Sequence, residues 1–129
     1  MKKDKYYTHF IRECIKKCFA GTDVPFEPYL SGDRQSLEKK TASWHGLTLG
    51  STRQQMFAAV LSAMQGVLRT TIEEAAAVLP LSSVIKISGG MATPTYMKLK
   101  AKEIPGYTYE VVDDCPILGN VALVQYYKK

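Results

Sequence analysis

The best candidates for a functional site in this chain are a pair of glycines that lie just before the expected start of a helix. Ser88-Gly89-Gly90 follows a short apolar run and precedes Thr93-Pro94. Glycines let a backbone turn sharply and approach a ligand closely, and the N–H groups at a helix start favour phosphate or polar ligand atoms. The pattern therefore indicates a ligand site. A strand-to-helix turn can also use glycine for its backbone conformation alone, so both interpretations stay open at this point.

The histidines and the paired aspartates are weaker candidates for chemistry. His9 has no clear nucleophile beside it, and His45 lies next to Trp44 in a loop-rich segment, so both are interpreted as structural or surface residues. Asp113 and Asp114 are adjacent, and adjacent side chains diverge in an extended chain, which favours turn residues over an acid–base pair. The sequence contains no Walker A loop, no GxSxG elbow and no HExxH pair. We therefore assign no catalytic residue and no metal ligand.

The cysteines predict buried thiols and no oxidising compartment. Cys14 and Cys18 are one helical turn apart on an apolar stripe, and neither a CxxC pair nor clustered histidines accompany them. We place Cys115 in a turn before Pro116. No apolar run approaches the roughly 20 residues of a membrane span, and no secretory signal follows the basic start. These features favour the cytoplasm and no membrane partner.

The elements that must position the glycine pair follow from hydrophobic periodicity. A long helix is predicted from a capping box at Ser51-Thr52-Arg53-Gln54 to Pro80, with one face apolar enough to lie across a sheet. Thr93 is the expected cap of a shorter helix, with Pro94 at its first position. The full prediction is a helix over 4–19, an ordered loop region with room for a short helical turn over 22–50, and then helix 51–79, strand 84–87, helix 93–102, strand 107–112 and helix 117–127.

This order predicts an α/β fold with parallel strands. Two short strands make a poor sheet, because one edge stays open and several apolar faces stay uncovered. We therefore expect a single, incomplete domain over residues 1–129, with a leading helix and loop region at 1–50 and an α/β core portion at 51–129.

Composition and charge fit one globular domain without identifying its partner. Hydrophobic residues make up 46% of the 129 residues, and the net charge is +5. The few arginines are scattered, so the charge is interpreted as solvated helix faces and a charged terminus rather than a nucleic-acid surface. A small nucleic-acid-binding α/β domain, favoured by the positive charge, is nevertheless one competing hypothesis.

Four segments, in the expected order, resemble the FGGY family of carbohydrate kinases, which includes xylulokinases and glycerol kinases. Residues 26–34, FEPYLSGDR, are similar to the family's PYLSGER segment with aspartate for glutamate. Residues 42–47 and 55–61 are similar to the second family signature. The chain differs from that signature at Ser62-Ala63, where the family usually has Glu-Gly. Residues 87–94, ISGGMATP, resemble the adenosine motif, and residues 118–122 resemble the closing LGAA helix.

The resemblance implies a partial actin-like (ribonuclease-H-like) ATPase domain, of which this chain has the helix-strand-helix-strand-helix portion after a leading helix and a loop-rich insertion. It implies ATP with Mg²⁺ as cofactor and a sugar or polyol substrate bound by a missing N-terminal domain, which also holds the catalytic aspartate. A homodimer is a possible assembly, and no nucleic-acid partner is expected. The implied nucleotide-binding residues are Ser88, Gly89, Gly90, Met91, Thr93, Pro94 and Thr95.

Two functions are therefore compared with the nucleic-acid hypothesis. In the first, the chain is the C-terminal segment of an ATP-dependent sugar or polyol kinase and provides the adenosine pocket, being inactive by itself. In the second, it is a non-catalytic nucleotide-binding or regulatory module from a truncated kinase gene.

Overall fold

The computed structural model describes residues 2–21, 23–33 and 36–128, which form four helices and two small sheets. They group into two compact units, residues 1–78 and 79–129. The first unit holds α1 (Lys2–Ala20), β1 (Phe26–Glu27), β2 (Ser43–Trp44) and α2 (Arg53–Val78). The second holds β3 (Val84–Ile87), α3 (Pro94–Glu103), β4 (Thr108–Val111) and α4 (Cys115–Tyr127). The grouping of all 129 residues into one incomplete domain stays a prediction.

The core of the first unit lies between the two long helices. Cys14, Ile15 and Cys18 are buried on α1, as the apolar stripe predicts, and the Cys18 thiol donates a hydrogen bond to the Ala58 carbonyl of α2 at 3.3 Å. Burial raises the pKa of the Cys14 thiol, with a smaller contribution from Cys18, so the neutral thiol is favoured. The sequence predicted that α2 lies across a sheet; its contacts are instead with α1 and the two-residue strand β1.

The loop-rich region contains a small antiparallel sheet. The short helical turn suggested by the sequence is not found among residues 23–33 and 36–50. β1 and β2 pair in the register Phe26↔Trp44, and these two rings lie 4.7 Å apart between centroids. Phe26 packs with Val24 and Ala59, and the Trp44 indole N–H donates to the Met56 carbonyl at 3.0 Å. Burial of these apolar side chains holds a two-residue sheet that would be unstable by itself.

The capping box of α2 is real but one residue later than predicted. The Gln55 backbone N–H donates to the Thr52 hydroxyl at 3.2 Å, and the Gln55 side-chain oxygen accepts from the Thr52 backbone N–H at 2.8 Å. The Ser51 hydroxyl accepts instead from the Thr48 N–H, 2.9 Å away, in the preceding turn. Both Ser51–Gln54 and Thr52–Gln55 have the spacing of a capping box, so spacing alone could not choose between them.

The second unit confirms the predicted strand-helix-strand-helix order. β3 and β4 are parallel, with Val84 opposite Thr108 and Ile87 opposite Val111. α3 connects them, and its residues Tyr96 and Leu99 are buried together with its C-cap residue Ile104. The Tyr109 hydroxyl on β4 donates to the Ile104 carbonyl at 2.7 Å, which ties the end of α3 to the sheet.

The last helix begins two residues earlier than predicted, at Cys115, so this cysteine lies in the first turn of α4 and not in a loop. Asp114 precedes it with φ of 55°, the one non-glycine residue with positive φ in the described part of the chain. No helix among residues 2–21, 23–33 and 36–128 is both long enough and apolar enough to cross a membrane.

Candidate functional site

The candidate site lies at the carboxyl edge of the parallel sheet. Because β3 and β4 run in the same direction, the segments that follow them, Ser88–Gly90 and Asp113–Asp114, leave the sheet at the same edge. The Val112 N–H continues the ladder to the Ile87 carbonyl at 2.9 Å, which keeps the two exits adjacent. Ligands of open α/β sheets bind at this edge, so the glycine pair has the location that a ligand site requires.

Gly89 has a backbone conformation that explains its presence without any ligand. Its φ is +110°, a value that L-residues rarely adopt. The turn closes when the Ala92 N–H donates to the Gly89 carbonyl at 3.0 Å. The structural interpretation of a turn glycine is therefore sufficient for this position.

Gly90 has no such backbone requirement. Its φ lies outside the left-handed region, and a Cβ built at Gly90 would meet no atom within 4 Å. A Cβ at this position would therefore be compatible with the turn and with the atoms around it. The open space in front of Gly90 is available to a ligand that approaches the backbone closely, which makes this glycine the informative one.

The start of α3 retains little capacity to bind an anion. Thr93 is the N-cap, as predicted, and its hydroxyl accepts from the Tyr96 N–H at 3.3 Å. The Thr93 N–H donates to the Met91 carbonyl at 2.8 Å, and Pro94 has no N–H to give. Of the first-turn amides, Thr95 alone has no hydrogen bond among the described contacts. A phosphate needs several convergent donors, and the first turn of α3 by itself does not supply them.

The structure places all seven implied nucleotide-binding residues in this one turn and the helix start after it. Ser88 and Met91 are half-buried, whereas Gly89, Gly90, Thr93, Pro94 and Thr95 are exposed. None of these residues lines either of the two cavities described below.

The two described cavities lie elsewhere, one in each unit. A hollow of about 300 Å³ on α1 is lined by Lys5, Thr8, His9 and Arg12. A second, of about 500 Å³, lies along the end of α4 and is lined by Ala122, Gln125, Tyr126 and Lys128. In the part of the chain that the structure describes, no three His, Cys, Asp or Glu side chains are grouped closely enough to hold a metal ion.

Sequence reasoning missed a polar cluster in the first unit, formed by Glu27, Ser43 and His45. The Ser43 hydroxyl donates to Glu27 Oε2 at 2.6 Å, and His45 Nε2 lies 2.9 Å from Ser43 Oγ and 3.0 Å from Glu27 Oε2. The sequence signal was present but weak, since the three residues lie in two segments that only the β1–β2 pairing brings together.

The cluster has the residue types of a hydrolytic triad without its geometry. In a triad the two imidazole nitrogens have separate partners, the serine on one and the carboxylate on the other. Here Ser43 and Glu27 both contact the same nitrogen of His45, so the carboxylate does not orient the ring for proton removal from the serine. All three groups are also accessible to water. The cluster cross-links β1 and β2, and a stabilising role accounts for its contacts.

We expect this cluster to stabilise the first unit in a pH-dependent way. The Ser43 hydroxyl and, next, His45 lower the pKa of the Glu27 carboxyl below its ordinary value of 4.5. A carboxyl with a lowered folded-state pKa contributes stability above its ordinary pKa, and that contribution is lost as the pH falls through the folded value. Glu27→Gln should therefore lower the melting temperature at about pH 7 and have a smaller effect near pH 3, as followed by Trp44 fluorescence.

Glu74→Gln on the exposed surface of α2 is the control for this experiment, because Glu74 has the same charge outside the cluster. An equal loss of melting temperature for Glu27→Gln at both pH values would show that the ionised carboxylate has no part in the stabilisation.

Comparison of the chain with protein-family models, with curated proteins and with solved structures finds no match.

Proposed function

We propose that this chain supplies the adenosine-binding part of the nucleotide site in an ATP-dependent sugar or polyol kinase of the FGGY type. The observation that carries the proposal is Gly90, which stands at the carboxyl edge of a parallel sheet, has no backbone reason to be glycine and faces open space. It belongs to the segment 87–94 that resembles the family's adenosine motif. The partial actin-like fold and a cytoplasmic location are parts of the same proposal.

The role proposed for this turn is positioning. Gly89 and Gly90 would lie against the nucleoside, and Met91, Thr93, Pro94 and Thr95 would contact the adenine or the ribose. Holding the nucleotide in one orientation converts binding energy into alignment of the terminal phosphoryl group with an acceptor hydroxyl. The first-turn amides of α3 are largely used within the helix start, which supports a nucleoside contact at Thr93–Thr95. No residue of this chain is assigned to bond making, and no magnesium ligand is assigned.

The proposal predicts that nucleoside, not phosphate, is recognised. Titration of the chain with adenosine and with ADP, followed by calorimetry, should give dissociation constants within about tenfold of each other, a difference of at most about 1.4 kcal/mol. Inorganic phosphate at millimolar concentration should not displace adenosine. Guanosine is the control nucleoside, expected to bind more weakly because the contacts are to the base.

Two results would contradict the proposal. If adenosine does not bind while ADP does, or if inorganic phosphate competes with ADP, the turn recognises phosphate. If adenosine and ADP both fail to bind, this chain contains no nucleotide site that works without further polypeptide, and the assignment of Gly90 to such a site is lost.

A further inference from the structure

The hollow on α1 has a lining that favours an anionic ligand. It is lined by Lys5, Thr8, His9 and Arg12, all of which are exposed to solvent. Its volume of about 300 Å³ is near the lower end of the range for ligand pockets. Lysine and arginine side chains carry a positive charge and offer hydrogen-bond donors without any acceptor. The α1 hollow therefore combines positive charge with donors that an anion requires.

Helical spacing brings these side chains to one place. They occupy positions i, i+3, i+4 and i+7 of α1, which lie within about 100° of one another around the helix axis. Helical side chains lean toward the N-terminus, so Arg12 projects over the turn that holds Thr8 and His9. Lys5 lies one turn before His9, at the opposite end of the hollow. A single anion over His9 can therefore contact both cations.

The two permanent cations of the hollow are not neutralised by a carboxylate. In the part of the chain that the structure describes, neither Lys5 nor Arg12 forms an ion pair. Glu13 follows Arg12 in the sequence, but Lys16 Nζ holds the Glu13 carboxylate at 2.7 Å. Like charges on neighbouring turns of a helix repel each other. An anion bound in the hollow would reduce this repulsion.

The donors of the hollow match a phosphate group. The guanidinium of Arg12 is a planar fork that fits two phosphate oxygens, and lysine binds phosphate as a point charge. His9 has an N–H donor in either protonation state. Thr8 already interacts within the protein and is counted only as part of the wall. A phosphate group with a charge of about −1.5 to −2 gains more from two cations than a singly charged carboxylate does.

A nucleic-acid strand fits this hollow less well. Binding of a strand requires a basic groove that follows the backbone, together with aromatic rings on which the bases stack. The exposed rings nearest in sequence, Tyr6 and Tyr7, lie about 100° or more around the helix axis from the centre of the hollow. The Tyr6 hydroxyl also accepts a hydrogen bond from Arg53 Nη2 at 3.1 Å. The arrangement suits one phosphate group rather than a chain of them.

We propose that the α1 hollow binds the phosphate group of a small phosphomonoester or of free phosphate through Lys5, His9 and Arg12. Exposed charged side chains are hydrated when no ligand is bound, so the site does not require a covering segment of polypeptide. None of these residues belongs to the turn at Ser88–Thr95. Binding of phosphate in the hollow and binding of nucleoside at that turn therefore succeed or fail separately.

The test is titration of the full chain with inorganic phosphate at about pH 7.5, followed by ¹H–¹⁵N NMR. The amide signals of residues 5–12 should shift with a dissociation constant of about 1–10 mM, because exposed charges bind weakly. The double variant Lys5→Gln/Arg12→Gln should raise this constant by about tenfold or more, since it removes two charged donors. Glutamine has nearly the helix propensity of lysine and arginine, so α1 should stay folded.

The matched control is Lys39→Gln/Arg69→Gln, which removes two positive charges from exposed positions elsewhere in the first unit. Its dissociation constant for phosphate should stay within about twofold of the wild-type value, because the overall attraction between the chain and an anion is changed equally in both variants. Methyl phosphate distinguishes the two sources of the ligand. Tighter binding than inorganic phosphate indicates a monoester, equal or weaker binding indicates the free ion, and either result supports the site.

ADP also carries phosphate, so its titration is repeated in Lys5→Gln/Arg12→Gln. Affinity for ADP that persists in this variant belongs to a site other than the α1 hollow. The result keeps the phosphate proposal separate from the nucleotide proposal.

Three results would overturn the phosphate proposal. One is the absence of a saturable shift at residues 5–12 up to about 50 mM phosphate. Another is a dissociation constant that is unchanged in Lys5→Gln/Arg12→Gln or is raised equally in Lys39→Gln/Arg69→Gln. The third is a single-stranded oligonucleotide that binds about 100-fold more tightly than phosphate and loses this affinity in Lys5→Gln/Arg12→Gln, because the ligand would then be nucleic acid.

Discussion

Replacing Gly90 by glutamine is expected to weaken binding of ADP by at least about tenfold, or 1.4 kcal/mol, while the fold stays intact. The fold should tolerate the change because φ of Gly90 is outside the left-handed region and a Cβ there meets no atom within 4 Å. The glutamine side chain would extend into the space that the proposed nucleoside occupies. Loss of affinity would then report on the ligand and not on the turn.

Gly89 is the wrong position for this experiment. Its φ of +110° strains any L-residue, so a substitution would disturb the turn whether or not a ligand binds. Gly89 is required for its backbone conformation, whereas Gly90 is proposed to be required for the space that a ligand occupies. The sequence pattern alone could not distinguish these two roles.

Gly66→Gln is the matched control. It makes the same chemical change in the first unit, at a helical glycine where a Cβ also meets nothing within 4 Å. Its affinity for ADP should equal that of the wild type. Calorimetry of both variants, with circular dichroism to compare their folds, decides the question. Equal affinities for Gly90→Gln and the wild type would mean that the nucleoside does not lie against Gly90.

The second large effect concerns the core that holds the candidate site in place. Leu99 on α3 is 0% exposed, and Leu99→Ala is expected to cost about 2–5 kcal/mol. A unit as small as residues 79–129 has only a few kcal/mol of stability in total. We therefore expect Leu99→Ala to unfold most of this unit and to remove nucleotide binding with it.

The first unit provides an internal reference for this variant. Trp44 is the single tryptophan, and its neighbours Phe26 and Met56 belong to the first unit. Hydrogen exchange in Leu99→Ala should accelerate over β3 and β4, whereas the fluorescence of Trp44 should be unchanged. Lys98→Ala, at an exposed position one residue earlier, is the control. If β3 and β4 were protected equally in the two alanine variants, Leu99 would not be central to the core.

Much of the backbone could be predicted because its signals are local. The apolar stripe of Cys14, Ile15 and Cys18 has helical spacing, and Thr93 followed by Pro94 is a cap with a proline in the first turn. Two short apolar strands joined by a helix predict parallel pairing. These patterns depend on residues within a few positions of each other. The resulting elements agree with the structure to within a few residues.

Two predictions about α2 were wrong, namely the residue that caps it and the element against which it packs. The first depended on a choice between two local alternatives, and the second depended on contacts between distant segments. Two overlapping segments both have the spacing of a capping box, and the structure uses Thr52 with Gln55. The partner of α2 could not be read from its apolar face, because an apolar face fits a helix as well as a sheet. Here α1 provides that partner.

The sequence by itself determined the order of the four helices and of β3 and β4, the Thr93 cap of α3 and the position of the glycine pair before a helix. Tertiary structure alone decided that Glu27 meets Ser43 and His45, that Gly89 requires its glycine while Gly90 does not, and that no residue of α4 is buried. The physical reason is the separation along the sequence of the residues that interact. Helix and turn preferences are set by neighbours in the chain, whereas contacts and free space depend on segments far apart in sequence.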